Sequence, residues 1–497
     1  MTPRLPREAW IAIALCALAA LRVFLLSAAF PFFNNVDEAH HVDLVHKYAR
    51  GHVPASLERR DPDAARMIVM YMSPEYLYEP GQYPTGLPPR FRWPASVEAK
   101  GELERLVAES KERVNFESTQ PPLYYAVAGA WYRIGAWVGL RDGRLLYWTR
   151  FLDVVACTCL TWLAYAFART FFPDRPFLRL GIPLLVAFFP QDMFFAVNND
   201  VLLPLSGGAA FFCLLVIHRD ASKSFAFHAV TGLLVAAAFL VKFSSVALLP
   251  VSAAIVASSA LRSRNAAGRS GAIAKGAVLL AAAAIPIGAW CVRDYLVMGD
   301  ITGSKFKTDH LTWSLKPVTA IFDHPMFTVS GMGFFWQETL ARFWRGEFVW
   351  EVKTMASPGW DRFYGWSSFV FLAAAVIAPA TWRKDTRSAE RDVLWPSLAL
   401  FVLSLAFLVA ISVIYDFGAC QYPSPAMPYV TSGRLALGAL IPFAALYVCG
   451  LDALLPARLP APLRWIVLIV PVVWMTVSEF RMSAVAFRSA YNFFHLP

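Results

Sequence analysis

Runs of about twenty mostly apolar residues recur from Trp10 to Phe480, divided by charged clusters and two long polar stretches. No other feature restricts the architecture so strongly. In hydrocarbon each backbone polar group has to be satisfied within the protein, which leaves helices or closed barrels. Barrel strands would read as segments of about ten residues with alternating polarity, and the runs here are longer and continuously apolar. Composition agrees: 57% of the 497 residues are hydrophobic and the mean hydropathy is +0.48, above the usual ~45 to 50% apolar content of soluble chains. The expected fold class is an all-α polytopic membrane protein.

The formal charge of +10 is spread over small basic groups at the ends of apolar runs. Such groups are topology signals, and without a basic tract they imply no nucleic-acid partner. Six of the seven cysteines, Cys16, Cys157, Cys159, Cys213, Cys291 and Cys449, fall within or at the ends of apolar runs and none forms a CxxC pair, which fits small buried hydrophobes. The first run lacks a cleavage signature before the polar loop and reads as a retained span. Arginine outnumbers lysine and alanine is abundant, as in GC-rich bacterial genomes, so a bacterial inner membrane is the expected location.

Arg4 and Arg7, placed in the cytoplasm, send the first helix outward and leave residues 32–120 as a long extracytoplasmic loop. Residues 121–140, PPLYYAVAGAWYRIGAWVGL, then decide the rest. If they cross the membrane, the clusters at Arg169 to Arg179, His218 to Lys223 and Arg262 to Lys275 all fall outside. If they lie flat in the interface, these clusters face the cytoplasm with Arg383, Lys384, Arg387, Arg391, Arg458 and Arg464, as the positive-inside rule requires. Arg133 among Trp131, Tyr132 and Trp137 also suits an interfacial helix. The expected spans are 10–31, 147–170, 178–196, 200–217, 225–241, 245–261, 274–294, 366–382, 393–415, 432–452 and 464–481. That makes about 11 transmembrane helices with the C-terminus outside. The chain, 1–497, reads as one membrane domain without internal repeats; its elaborations are the first extracytoplasmic loop with juxtamembrane helices, 32–140, and a second large loop, 295–365.

Chemistry has five candidate places. The segment FNNVDEAHHVDLVHKYARG follows the first span and puts Asp37, Glu38, His40, His41 and Asp43 at the membrane surface. With a helix starting near Asn35, Asp37 and His41 stand one turn apart. A carboxylate there suits proton abstraction from a hydroxyl, or with His41 the holding of a divalent cation (Mg or Mn) against a phosphate. The plainer alternative is that Asn35 or Asp37 caps the helix. His40 and His41 diverge around a helix, which disfavours a structural zinc. Asp200, ending Asn198-Asn199-Asp200, lies on the same expected side as Asp37 and is equally suited to capping. Pro121 and Pro122 open the interfacial helix, where Tyr124 and Tyr125 either anchor the interface or floor a cavity. Arg293, Arg434 and Lys242 are the cations placed to clamp a phosphate, against snorkelling or pairing with Asp294 and Asp416. Trp313, Trp336, Trp344, Trp350 and Trp360 in the second loop suit sugar stacking and interface anchoring alike.

Taken in order, these pieces resemble the GT-C superfamily of glycosyltransferases, especially the branch of protein O-mannosyltransferases and lipid A aminoarabinose transferases with related bacterial membrane proteins. The resemblance covers most of the chain. It rests on Asp37 and Glu38 after the first span, the PPLYY helix, Arg150 opening the second span, Asp200 after the third, Arg293-Asp294 and Gly299-Asp300 leaving the seventh, and Gly433-Arg434 at the tenth. It implies a GT-C-like fold, Asp37 as the central catalytic residue beside the acceptor or a metal, Glu38 as its partner and Asp200 as a helper. Relatives often carry histidine before the two prolines. This chain has Gln120 there, which with Tyr124 is the candidate substrate contact at that point.

The expected reaction moves a sugar from a polyprenyl-phosphate donor in the lipid bilayer to a cell-envelope glycan, lipid or protein acceptor, with inversion. Asp37 orients or deprotonates the acceptor hydroxyl and Arg434 or Arg293 stabilises the departing phosphate. No cofactor is assigned beyond the divalent cation. Two other classes compete. A secondary transporter or lipid-linked-sugar flippase would show related halves and broken midplane helices, whereas here no repeat occurs and the acids cluster at the surface. A noncatalytic envelope-assembly scaffold would use the long loops to bind partners.

Overall fold

In the computed structural model, the described residues are 7–34, 37–79, 81–82, 89–93, 96–263, 265–381, 388–420, 422–456 and 458–496, with side chains of 378–381 and 388–389 left aside. Asn35, proposed above as a cap, lies outside them, as do Arg4, Arg264, Arg383, Lys384 and Arg387 of the basic clusters. Among the described residues the regular structure is helical apart from two antiparallel ladders of two residues each, Ser314–Leu315 with Tyr415–Asp416 and Val349–Trp350 with Lys353–Thr354.

The first helix, α1 (Arg7–Ala29), is followed by four helices of the first loop: α2 (Glu38–Ala49), α3 (Pro62–Tyr71), α4 (Val97–Glu112) and α5 (Leu123–Trp137). Helices α6 (Asp142–Arg150) and α7 (Leu152–Phe171) run on as one segment of 30 residues. Then come α8 (Pro176–Ala187), α9 (Leu203–Arg219), α10 (Phe225–Val241), α11 (Leu248–Arg262) and α12 (Ala266–Met298). The second loop carries α13 (Lys305–His310), α14 (Val318–Ile321) and α15 (Val329–Arg345), and α16 (Pro358–Thr381), α17 (Ser388–Ile414), α18 (Leu440–Leu454) and α19 (Ala461–Ser483) complete the bundle.

Among the described residues eight helical segments are long and apolar enough to cross a membrane, and α8 and α10 are shorter apolar helices. Each of the eleven expected spans coincides with a helix, counting α16. The third is cut short: the apolar run continues to residue 196, but the helix stops at Ala187 and residues 188–202 turn through two short 3-10 segments. Pro190, which cannot donate a backbone hydrogen bond, stands just past the end. Residues 121–140 form the 15-residue α5, too short to be counted among the spans and packed on α2.

The core is centred on α18, where every residue from Leu440 to Asp452 is buried. A helix apolar all round is either enclosed by protein or faces lipid; α18 is enclosed by α8, α9, α16 and α17, whereas α12 buries few of its residues. Close crossings rest on glycine. At Gly232 a Cβ would collide with the Leu279 carbonyl of α12, and at Gly450 with that of Phe371 in α16. A buried pair, Arg22 with Glu479 at 2.5 Å, joins α1 to α19. After α19 the chain packs back on the first loop, where Ser489 Oγ donates to Glu75 Oε2 at 2.5 Å. The C-terminal segment therefore lies at the same end of the molecule as residues 32–120.

Candidate active site

At that end the chain leaves α1 and turns sharply into α2. Asp37 makes the turn with φ 63° and ψ 1°, the left-handed conformation, which a non-glycine residue adopts at a cost of roughly 1 kcal/mol and which Asp tolerates better than most. Its carbonyl accepts the His40 and His41 N–H groups at 2.8 and 3.1 Å, but its carboxylate makes no capping bond. The side chain is instead directed at Arg434, with Oδ2 3.5 Å from Nη2. Capping does not account for Asp37.

Asp200 is delivered by the early end of α8. In the turn that follows, Asn198 Oδ1 accepts the Asp200 N–H at 2.9 Å, so Asn198 is the cap and the Asp200 carboxylate is left for other partners. It is fully buried, 2.5 Å from Lys242 Nζ and 3.7 Å from Arg434 Nε. Lys242 sits where α10 breaks, its backbone extended at φ −157°, and it also donates to Asn199 Oδ1 at 3.1 Å.

Arg434 stands at the start of a 3-10 segment, Gly433–Ala439, where Gly433 lies hard against the backbone of α15. Its guanidinium meets Asp37, Asp200 and, at 3.4 Å, Glu347 Oε2. Glu347 follows Gly346, whose φ of 84° and ψ of −157° belong to a region that only glycine occupies readily. There a Cβ would strike Asp192, whose Oδ2 accepts the Glu347 N–H at 2.9 Å. Arg342 at 3.1 Å and Ser432 at 3.0 Å hold the other Glu347 oxygen.

A second acid completes the group from the first loop. Glu117 is paired with Lys307 of α13 and accepts Gln120 Nε2 at 2.5 Å, while Gln120 Oε1 accepts Asn199 Nδ2 at 3.3 Å. Polar contacts thus run from Lys307 through Glu117, Gln120 and Asn199 to Lys242 and Asp200. Four carboxylates (Asp37, Glu117, Asp200, Glu347) face four cations (Lys242, Lys307, Arg342, Arg434). Burial works to raise the Glu117 and Glu347 carboxyls, but Lys307 beside the first and Arg434 and Arg342 beside the second hold both below the usual range. Asp37 goes the other way: burial and then the Glu117 charge raise it, against Arg434, Lys307 and Lys242. Asp37 is the most exposed of the four acids, at 22% of its side chain against 0% for Asp200, 4% for Glu117 and 11% for Glu347.

Of the sequence candidates, the structure brings together Asp37, Asp200, Lys242, Arg434 and Gln120. It places the others elsewhere. Glu38 is 1% exposed and saturated: Arg150 grips both its oxygens at 2.6 and 2.8 Å, and the Phe33 and Val197 N–H groups each donate at 2.9 Å. It has no lone pair left for a substrate proton and ties the turn after α1 to α6 and to the segment after α8. Arg293 pairs with Asp294 at 2.8 Å and donates to the Pro54 carbonyl, outside the cluster. Tyr124 is 1% exposed and packs edge-on against the Tyr125 ring. His41 is 3% exposed, neutral through burial, with Nδ1 2.7 Å from the Tyr125 hydroxyl. That nitrogen is engaged and Asp37 is turned to Arg434, and neither side chain belongs to a group of three or more ligands with metal-like spacing among the described residues. Among the described residues one group of His and acidic side chains has metal-like spacing, His46, Asp61 and Asp63, and Arg50 bridges its two carboxylates.

Glu117, Lys307, Arg342 and Glu347 were not singled out from the sequence. Glu117 opens the ESTQPPLYY segment and Glu347 follows an Arg-Gly pair, but neither spacing announces a partner on a distant element.

These features define a multi-pass helical membrane protein with a balanced cluster of acids and cations at one end of its bundle. Residues 21–421 match the family model described as predicted membrane protein, DUF2142, and the chain belongs to that family. No curated protein matches the sequence. Among solved structures it is similar to the oligosaccharyltransferase AglB from Archaeoglobus fulgidus in complex with an inhibitory peptide and a dolichol-phosphate, at 10% identity and a TM-score of 0.47 over 97% of this chain and 56% of that one. The chain therefore spans little more than half the length of AglB. It is similar also to ArnT from Cupriavidus metallidurans bound to undecaprenyl phosphate, at 13% identity and a TM-score of 0.35 over 90% of this chain and 78% of that one. Both are glycosyltransferases of the superfamily that the sequence resembles.

Proposed function

We propose that the chain is a membrane glycosyltransferase that moves a sugar from a polyprenyl-phosphate donor to an acceptor hydroxyl, with inversion at the anomeric carbon. The observation that carries this reading is Asp37: a strained, uncapped and comparatively accessible carboxylate held beside Arg434. Strain of this kind persists where the surroundings enforce it, and it gathers at functional sites.

In the proposed reaction Asp37 takes the proton of the acceptor hydroxyl as its oxygen attacks the anomeric carbon, and the bond from that carbon to the phosphate oxygen breaks. Arg434, with Lys242 and Lys307 nearby, receives the charge on the leaving phosphate. Asp200 and Glu347 hold Arg434 in place. The four cations supply charge compensation without a divalent ion. The site end of the bundle faces the periplasm of a bacterial inner membrane, where a lipid-linked donor lies with its tail along the spans. The acceptor is a cell-envelope glycan, lipid or protein, and residues 32–140 and 295–365 are loop elaborations of a single domain.

Purified protein incubated with polyprenyl-phosphate sugars and envelope acceptors should transfer sugar, and Asp37→Asn should not; equal transfer by both overturns the assignment. Orientation is tested separately. A single cysteine replacing Asp142 should react with an impermeant reagent added from outside, and protection there reverses the topology.

A further inference from the structure

Arg60 lies at the start of α3, away from the acid cluster. Its backbone is fixed by a short antiparallel contact between residues 58–60 and 113–115: the Arg60 N–H donates to the Arg113 carbonyl at 3.2 Å, and the Asn115 N–H to that of Glu58 at 2.8 Å. The side chain is thereby carried inward and is 6% exposed. Its Nη1 donates to Ser110 Oγ at 3.1 Å, but its buried Nε has no hydrogen-bond partner, and no carboxylate among the described residues forms an ion pair with it. The neighbouring acid, Asp43, is committed to Lys47 at 3.2 Å, to Asn115 at 2.7 Å and to the Asp61 N–H at 2.7 Å.

Buried charges in proteins are almost always paired, because desolvation of a lone ion costs several kcal/mol. Beside Arg60 opens a cavity of about 140 Å³ whose walls include Arg90, Arg113, Ser73, Ile68 and Met72. Arg90 is pinned there by its bond to the Val69 carbonyl at 2.9 Å. The acid at the rim, Glu109, is paired with Arg105. Burial, and after it the Arg113 charge, push Arg60 down to about 10, so the group remains protonated at neutral pH. Arg60, buried and without an ion-pair partner among the described residues, thus shares one wall with Arg90, the exposed Arg113 and aliphatic side chains.

We propose that this cavity in the first loop is a second binding site, which takes a phosphate group carried on an apolar body, with Arg60, Arg90 and Arg113 as the phosphate ligands and Ile68 and Met72 under the apolar part. Guanidinium pairs phosphate oxygens bidentately, which matches the residue type used. The site stands independently of the transferase reading, since binding is measured directly.

The test uses the full-length chain in a maltoside detergent, which carries no phosphate, titrated calorimetrically with inorganic phosphate and with short-chain phosphatidic acid below its micelle concentration. Both probes should bind saturably and the lipid more tightly. Arg60→Gln should abolish binding, and Arg113→Gln, at the exposed rim where folding is not at stake, should weaken it by at least about tenfold, the loss of one charged hydrogen bond. Absence of binding to the wild type, or unchanged affinity in Arg113→Gln, overturns the proposal. Equal affinity for the two probes overturns its apolar part.

Discussion

The guanidinium of Arg434 lies 3.5 Å from the carboxylate of Asp37, 397 positions earlier in the chain. Each residue is held from its own side. Asp37 sits in a left-handed turn anchored by the Glu38–Arg150 pair, and Arg434 is braced by Asp200 and Glu347.

Asp37→Asn should leave the fold intact, because Asn adopts the left-handed conformation as well as Asp does. As general base catalysis contributes about 10² to 10⁴ in rate, transfer should fall by that factor with an unchanged melting temperature. A loss of stability equal to that of a buried-pair mutant would assign Asp37 a structural role instead.

Glu38→Gln should do the opposite. Removing one partner of a buried ion pair leaves the other charge uncompensated and costs about 3 to 5 kcal/mol. Thermal unfolding of the detergent-solubilised variant should show a clear loss, while activity per folded molecule survives. Activity lost without loss of stability would return Glu38 to the chemistry.

Arg434→Lys keeps a positive charge but cannot reach three carboxylates at once with a planar fork. Transfer should drop at least tenfold, by the loss of a charge-assisted bond of about 1.5 to 3 kcal/mol. Arg434→Gln should in addition lower the melting temperature, since Asp200 and Glu347 then lose a shared counter-ion. Wild-type activity in the lysine variant would rule out the fork as a requirement.

The pH dependence has two parts with different signs of shift. Asp37 works as a base only when ionised and its carboxyl is raised above 3.8, so the transfer rate should fall with decreasing pH at a midpoint above that value. Glu347 is depressed below 4.5; its contribution to stability is complete above the unfolded value and is lost as pH falls through the folded one. Rate should therefore decline at a higher pH than melting temperature does. A coincident decline would mean that acid inactivates by unfolding.

Chelation with EDTA should leave transfer unchanged if the four cations carry the phosphate charge. A strict requirement for magnesium or manganese would show that they do not.

The helices were legible because each long apolar run has one dominant solution in lipid, and the basic clusters set residues 121–140 apart from the expected spans, where the structure has the short α5 packed on α2. Asp37 and Asp200 stood out as short polar motifs at run ends. What the sequence left open was role. Asp37 and Glu38 are adjacent acids of the same chemistry, and only packing shows that Arg150 closes one of them off while the other faces Arg434. Glu117 and Glu347 were hidden for the same reason: their partners Lys307 and Arg434 come from distant elements, and local spacing carries no record of such contacts. The early stop of α8 was masked by continuous hydrophobicity, since the residues that unwind after Ala187 are buried too. Hydrophobic periodicity therefore determined the class of fold and most of its segments, whereas the pairing of charges across those segments, set by three-dimensional proximity and desolvation, decided which acid is closed off and which stays accessible.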